Sequence, residues 1–142
     1  MTRVAAIDCG TNSIRLLVAD GHIDENGRPQ LADLTRQMRI VRLGQGVDAR
    51  GYLDPAAIER TVEATVEYQR MIEALGATRT RFVATSATRD ASNSADFVRQ
   101  IKAVIGVEPE VVVGTEEASL SFNGAVSGLG ESVTAPMLVV DI

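Results

Sequence analysis

The chain has no tryptophan, one cysteine and one histidine, and only 4% of its residues are aromatic. In a 142-residue chain that is 45% apolar, the core must therefore be aliphatic, built from Val, Ile, Leu and Ala. Cys9 alone provides no disulfide framework and no Cys-based zinc site, as expected in a reducing compartment. His22 alone, in the turn-rich stretch from Gly21 to Pro29, argues against a His-based catalytic dyad or zinc site. Basic charge is also scarce. A net charge of −5 argues against a general nucleic-acid binder, which needs surplus Lys and Arg to neutralise phosphates, although a local basic patch could still hold a polyanion. No apolar run is long enough to span a membrane, and Met1-Thr2-Arg3 leads straight into a strand-like stretch without a signal peptide. A cytoplasmic protein with one compact core is expected.

What is present alternates between extended and helical patterns. Val4 to Cys9 and Ile14 to Ala19 are apolar runs flanking Gly10-Thr11-Asn12-Ser13, which reads as a β-hairpin with a polar tip. Asp20 to Pro29 reads as a turn, Leu31 to Leu43 as a third extended stretch, and Gly44, Gly46 and Gly51 mark a loop. Asp54 followed by Pro55 is a helix start, Ile58, Val62, Val66, Ile72 and Leu75 keep helical spacing, and Gly76 is placed to end it. Arg81 to Thr85 is a strand, Asn93 or Ser94 caps a helix closed by Gly106, and Glu110 to Val113 is another strand. Thr115 caps a helix to about Gly128, and Met137 to Val140 is a last apolar strand. The order β-β-β-α-β-α-β-α-β predicts an α/β fold, a mixed sheet with helices packed on it.

Ala5-Ala6-Ile7-Asp8-Cys9 and Leu138-Val139-Val140-Asp141-Ile142 echo each other, each a buried-type strand ending in Asp. Such a strand exit would lead into a second glycine-rich loop, so the chain is expected to be cut just before one. Ile7-Asp8-Cys9-Gly10-Thr11-Asn12-Ser13-Ile14-Arg15-Leu16-Leu17-Val18 resembles the first phosphate motif of the exopolyphosphatase/guanosine pentaphosphate phosphatase family. Leu43-Gly44-Gln45-Gly46-Val47 is similar to that family's next block, Thr85-Ser86-Ala87-Thr88-Arg89-Asp90-Ala91 to its arginine-bearing loop, and Gly114-Thr115-Glu116-Glu117-Ala118 to the segment with its catalytic glutamate. Each block alone is weak; four in family order are specific. The resemblance implies a ribonuclease H-like lobe of the actin-like ATPase superfamily. It also makes Asp141-Ile142 the opening of the second phosphate motif and residues 1–142 an N-terminal lobe.

The chemistry of these residues is consistent with that resemblance. Successive N–H groups at Gly10 to Ser13 can form a concave nest for an anion, with the Thr11, Asn12 and Ser13 side chains as further donors, and glycine lets a phosphate reach the backbone. Without the other blocks, an ordinary polar turn would be the better reading. Asp8 cannot usefully touch a phosphate oxygen; holding a hydrated Mg²⁺ or positioning a water suits it, as does accepting backbone hydrogen bonds. Arg15 interrupts an apolar run and either snorkels to the surface or turns toward the phosphate, with a structural role slightly favoured. Arg89, in a loop after a strand, presents a planar guanidinium suited to clamping a terminal phosphate. Glu116 and Glu117 open a helix, where acids also interact well with the helix dipole. Arg36, Arg39 and Arg42 read as a solvated face, and Cys9 as a core residue.

The resemblance implies hydrolysis of the terminal phosphoanhydride of polyphosphate or guanosine pentaphosphate, in a cleft of which this chain supplies one wall. Glu117 would be the general base, with Glu116 as fallback. Gly10, Thr11, Asn12, Ser13 and Arg89 would bind phosphate, and Asp8, Asp141 and Glu117 would hold Mg²⁺. Implied partners are the substrate, the protein's own C-terminal lobe and a second copy in a homodimer, with no DNA and no membrane. The fragment alone is expected to be inactive. The alternative is a non-catalytic sensor of guanosine tetraphosphate or pentaphosphate with the same fold.

Overall fold

The computed structural model describes residues 1–127, 129 and 134–140. Its centre is a five-stranded mixed sheet. β1 (Thr2–Cys9) pairs antiparallel with β2 (Ser13–Ile23), which pairs antiparallel with β3 (Pro29–Ile40). Between β3 and the next strand come a one-turn helix, α1 (Val47–Arg50), and the long helix α2 (Pro55–Leu75). β4 (Arg79–Ala84) then pairs parallel with β1. After the short α3 (Ser86–Arg89) and α4 (Ser94–Ile105), β5 (Glu110–Val111) pairs parallel with β4, and α5 (Gly114–Ser127) follows. The strand order is β3-β2-β1-β4-β5, the mixed α/β sheet expected.

Strand periodicity decides which face becomes core. Ala5, Ile7 and Cys9 on β1, Ile14, Leu16 and Val18 on β2, and Phe82 and Ala84 on β4 point to one side and are buried. Tyr68 and Ile72 of α2 and Phe97 and Ile101 of α4 cover them. Burying a side chain the size of Phe82 or Phe97 is worth roughly 1.5–3 kcal/mol. The intervening residues Ala6, Asp8 and Arg15 point to the other face and stay exposed.

Several boundaries differ from the sequence expectation, each for a local reason. β2 continues to Ile23, so His22 lies in a strand rather than a turn. The Asp24 carboxylate closes the true turn by accepting from the Arg28 N–H at 2.9 Å, from Gln30 Nε2 at 3.0 Å and from the Asn26 N–H at 2.9 Å, and these bonds, the Arg28 one foremost, hold its pKa below the usual range. β3 ends at Ile40, short of Leu43, because Arg42 takes φ 50° and the Val41 and Arg42 amides turn to the Asn12 carbonyl. Residues 137–140, expected as a strand, pair with no described strand.

Asn93 precedes α4 but does not cap it with its side chain. Its amide instead bridges backbone: Leu53 N–H donates to Oδ1 at 2.8 Å and Nδ2 donates to the Leu53 carbonyl at 3.0 Å. Leu53 is fully buried just ahead of α2, so this amide locks the α2 entry to the α4 entry. Asn93→Ala should destabilise the chain by about 1–3 kcal/mol, since it leaves both backbone groups without partners. Denaturant unfolding of the two proteins measures the difference.

Candidate functional site

The three parallel strands β1, β4 and β5 all end on one edge of the sheet, at Cys9, Ala84 and Val111. Ligand sites of open α/β sheets form beyond such carboxyl ends. Here the turn Gly10–Ser13, the start of α3 and the first turns of α5 surround a cleft of about 850 Å³. Asp8, Gly10, Thr11, Asn12, Ser13 and Glu117 all line it.

The turn is held from behind. Gly44 N–H donates to the Thr11 carbonyl at 2.9 Å, and Val41 and Arg42 N–H donate to the Asn12 carbonyl at 3.0 and 2.9 Å. Because a trans peptide points its C=O and N–H in opposite directions, carbonyls turned to the 41–44 segment send the Asn12 and Ser13 N–H groups away from it. Among the described residues, the Thr11 and Asn12 amides donate to no protein group. Free, adjacent donors on a concave turn are what an anion site requires.

Two glycines frame this turn differently. A Cβ on Gly10 would have only the Ser13 carbonyl nearby, at 3.5 Å, so packing does not demand glycine there. A Cβ on Gly44 would lie 2.3 Å from Thr11 Cγ2, so that glycine is required for the two segments to meet.

Glu117 and Glu116 separate clearly. Glu117 faces the cleft; Glu116 turns to Arg81, at 3.4 Å, on the open face of β4. Arg81 is mainly bound by Glu110, whose two oxygens accept from Nε and Nη2 at 3.0 and 2.7 Å, so the Glu110 carboxyl is held below its usual pKa. Arg89 is not in an open loop but closes the one-turn α3. Its Nη1 donates to the Val112 carbonyl at 2.8 Å and lies 3.8 Å from Glu117 Oε2, with Asp90 at 3.5 Å from Nε. Arg89 thus neighbours the acid and does not line the cleft.

Arg15, read from sequence as structural, does line the cleft and sits directly across from Asp8 in the β1–β2 register. Strict alternation was the available signal: Ile14, Leu16 and Val18 point to the core, so Arg15 shares the face of Asp8. Among the described residues Arg15 makes no hydrogen bond or ion pair. Ser86 was also missed as an individual residue; its hydroxyl is 3.0 Å from that of Thr11 and joins α3 to the turn. Cys9 is a core residue whose thiol is pushed up to about 12 by burial and by the charge of Asp8, so it is inert.

Among the described residues no cluster of three His, Cys, Asp or Glu side chains is arranged to hold a metal ion. Asp8 and Glu117 bring two carboxylates to one cleft, and Asp141 lies outside the described residues. Two carboxylates suit a hard cation such as Mg²⁺, which is held by one or two carboxylates together with substrate phosphates. No described helix is long and apolar enough to cross a membrane.

The chain is similar to exopolyphosphatase 2 of Mycobacterium tuberculosis, with 51% identity over 147 aligned residues that cover all of this chain and 46% of the relative. It is 31% identical to a bifunctional 3-dehydroquinate synthase/phosphatase of Fusobacterium nucleatum, across 97% of this chain and 21% of that protein. The chain thus spans less than half the length of these curated relatives. Among solved structures, an exopolyphosphatase-like protein superimposes with a TM-score of 0.83 at 44% identity, covering 92% of this chain and 38% of the other. The Ppx/GppA family member of Aquifex aeolicus does so with a TM-score of 0.78 at 31% identity, covering 90% and 40%. A nucleoside triphosphate hydrolase of Neospora caninum, 15% identical with a TM-score of 0.51, covering 92% and 32%, shares the fold alone. The profile of the Ppx/GppA phosphatase family matches residues 21–142, and this chain belongs to that family.

Proposed function

We propose that this chain forms one wall of a cleft that hydrolyses the terminal phosphoanhydride of inorganic polyphosphate. The observation that carries the reading is that Thr11 and Asn12, whose amides have no protein partner among the described residues, line the same cleft as Glu117. The amides and the Ser13 hydroxyl bind and orient the terminal phosphoryl group. Glu117 accepts a proton from a water as its oxygen bonds to the terminal phosphorus, and the bridging P–O bond breaks, leaving the shortened chain as the leaving group. Arg89, 3.8 Å from Glu117, helps aim that carboxylate rather than clamping phosphate itself. Mg²⁺ held by Asp8 and Glu117 would supply charge neutralisation on the phosphate oxygens. Arg15, across from Asp8, is placed to meet a further phosphate of the chain.

The name of the mycobacterial relative supports polyphosphate; guanosine pentaphosphate offers the same kind of terminal bond. The test is phosphate release by the intact protein from each substrate in parallel, with and without a chelator. Release from polyphosphate that is abolished by chelation is expected. Guanosine nucleotide binding with no phosphate release from either substrate would replace this reading with that of a sensor.

A further inference from the structure

We infer that Tyr68, on α2, is a positioning residue for the anion-binding turn, acting with Arg60 to hold the strand that leaves Gly10–Ser13 and the 41–44 segment that backs it. This rests on reading that turn as the phosphate site. The Tyr68 ring is fully buried, and its hydroxyl donates to the Ile14 carbonyl at 2.9 Å. Ile14 directly follows the turn. Eight residues earlier on the same helix, Arg60 Nε donates to the Val41 carbonyl at 3.0 Å. The Val41 N–H in turn holds the Asn12 carbonyl. Eight residues are a little over two helical turns, about 12 Å, so one helix grips both the strand leaving the turn and the segment behind it.

Core packing does not explain the phenol. Phenylalanine would fill the same aliphatic site, whereas a buried hydroxyl is unfavourable unless it is hydrogen-bonded. The partner here is a backbone carbonyl one residue from the anion donors. Burial also pushes the phenol pKa up, so the donated proton stays in place. Neither Tyr68 nor Arg60 lines the cleft, so each acts only through the backbone it holds.

Amide hydrogen exchange on Tyr68→Phe and Arg60→Met tests this without requiring turnover. The amides to follow are Gly10, Val41, Arg42 and Gly44, whose bonds define the turn. In each variant they should exchange about five- to tenfold faster, the loss of one hydrogen bond, while Ile101 and Ile105 in α4 keep their rates. In the intact protein, kcat/KM for polyphosphate should fall about tenfold with an unchanged pH profile, because the misplaced donors lie apart from the base. Unchanged exchange at the four amides, or faster exchange spread equally into α4, overturns the inference. Faster exchange at the four amides in the variants, with no phosphate release by the wild-type protein, contradicts the hydrolase reading and leaves the positioning role intact.

Discussion

Glu117→Gln should lower kcat for phosphate release by about 10²–10⁴-fold, the range supplied by a positioned general base. The substitution keeps size and shape and removes only the proton acceptor. Stability should barely change, because the 3.8 Å contact with Arg89 is a partly exposed ion pair, worth about 0–1 kcal/mol. Glu116→Gln is the matched control. It carries the same change one residue away, on a side chain that faces Arg81 and does not line the cleft, and it should leave kcat within about threefold. A large loss in the Glu116 variant with full activity in the Glu117 variant would reverse the assignment. The steady-state kinetics of the two proteins decide it.

Gly44→Ala should be the most damaging single methyl group in the chain. The new Cβ would sit 2.3 Å from Thr11 Cγ2 and 3.3 Å from Ala87 Cβ. Thr11 cannot rotate away without moving its hydroxyl off Ser86, and the turn cannot retreat without losing the Gly44 N–H bond to the Thr11 carbonyl. Overpacking of this kind costs about 1–3 kcal/mol. A donor displaced by about 1 Å can cost about 10²-fold in rate, so activity should fall further than stability. The methyl at fault identifies the cure: Thr11→Ser keeps the hydroxyl and deletes Cγ2. The double variant should recover at least tenfold of the lost rate, a coupling that only contacting residues show. Equal loss in the single and double variants would show that Gly44 acts some other way.

Parts of the site are legible in the sequence and parts are not. The hairpin tip after Asp8, the α2 start at Asp54-Pro55 and the acidic opening of α5 are short-range patterns, and each stands where the sequence put it. The Asp54 side chain accepts from the Ala56 N–H at 2.9 Å, as a helix cap should. The preference for Glu117 over Glu116 came from the family resemblance, but the physical distinction lies elsewhere. Arg81 reaches Glu116 from the sheet, 35 residues away in sequence, and no local pattern encodes that. The Arg89 contact with the Val112 carbonyl was not legible, because that carbonyl arrives just after β5, 23 residues further along the chain. Arg15 is legible from alternation alone, which puts it on the face of Asp8, although the apolar run around it points to a structural role.

The exposed face of the sheet follows the same logic. Leu17 and Met38 lie on the side away from α2 and α4, along a second cavity of about 570 Å³ that runs between the sheet and α5. Composition cannot separate such residues from the core. Strand register does: Arg15 pairs with Met38 and Leu17 with Arg36, so apolar and basic side chains share that face.

The most direct measurement is an NMR titration of the chain with tripolyphosphate in the presence of Mg²⁺, following backbone amides. The Thr11 and Asn12 resonances should move first and furthest, downfield as their N–H groups engage phosphate oxygens, and the Glu117 carboxylate signal should respond at the same ligand concentration. Shifts confined to the β3 arginines Arg36 and Arg39, with Thr11 and Asn12 unmoved, would contradict the phosphate site.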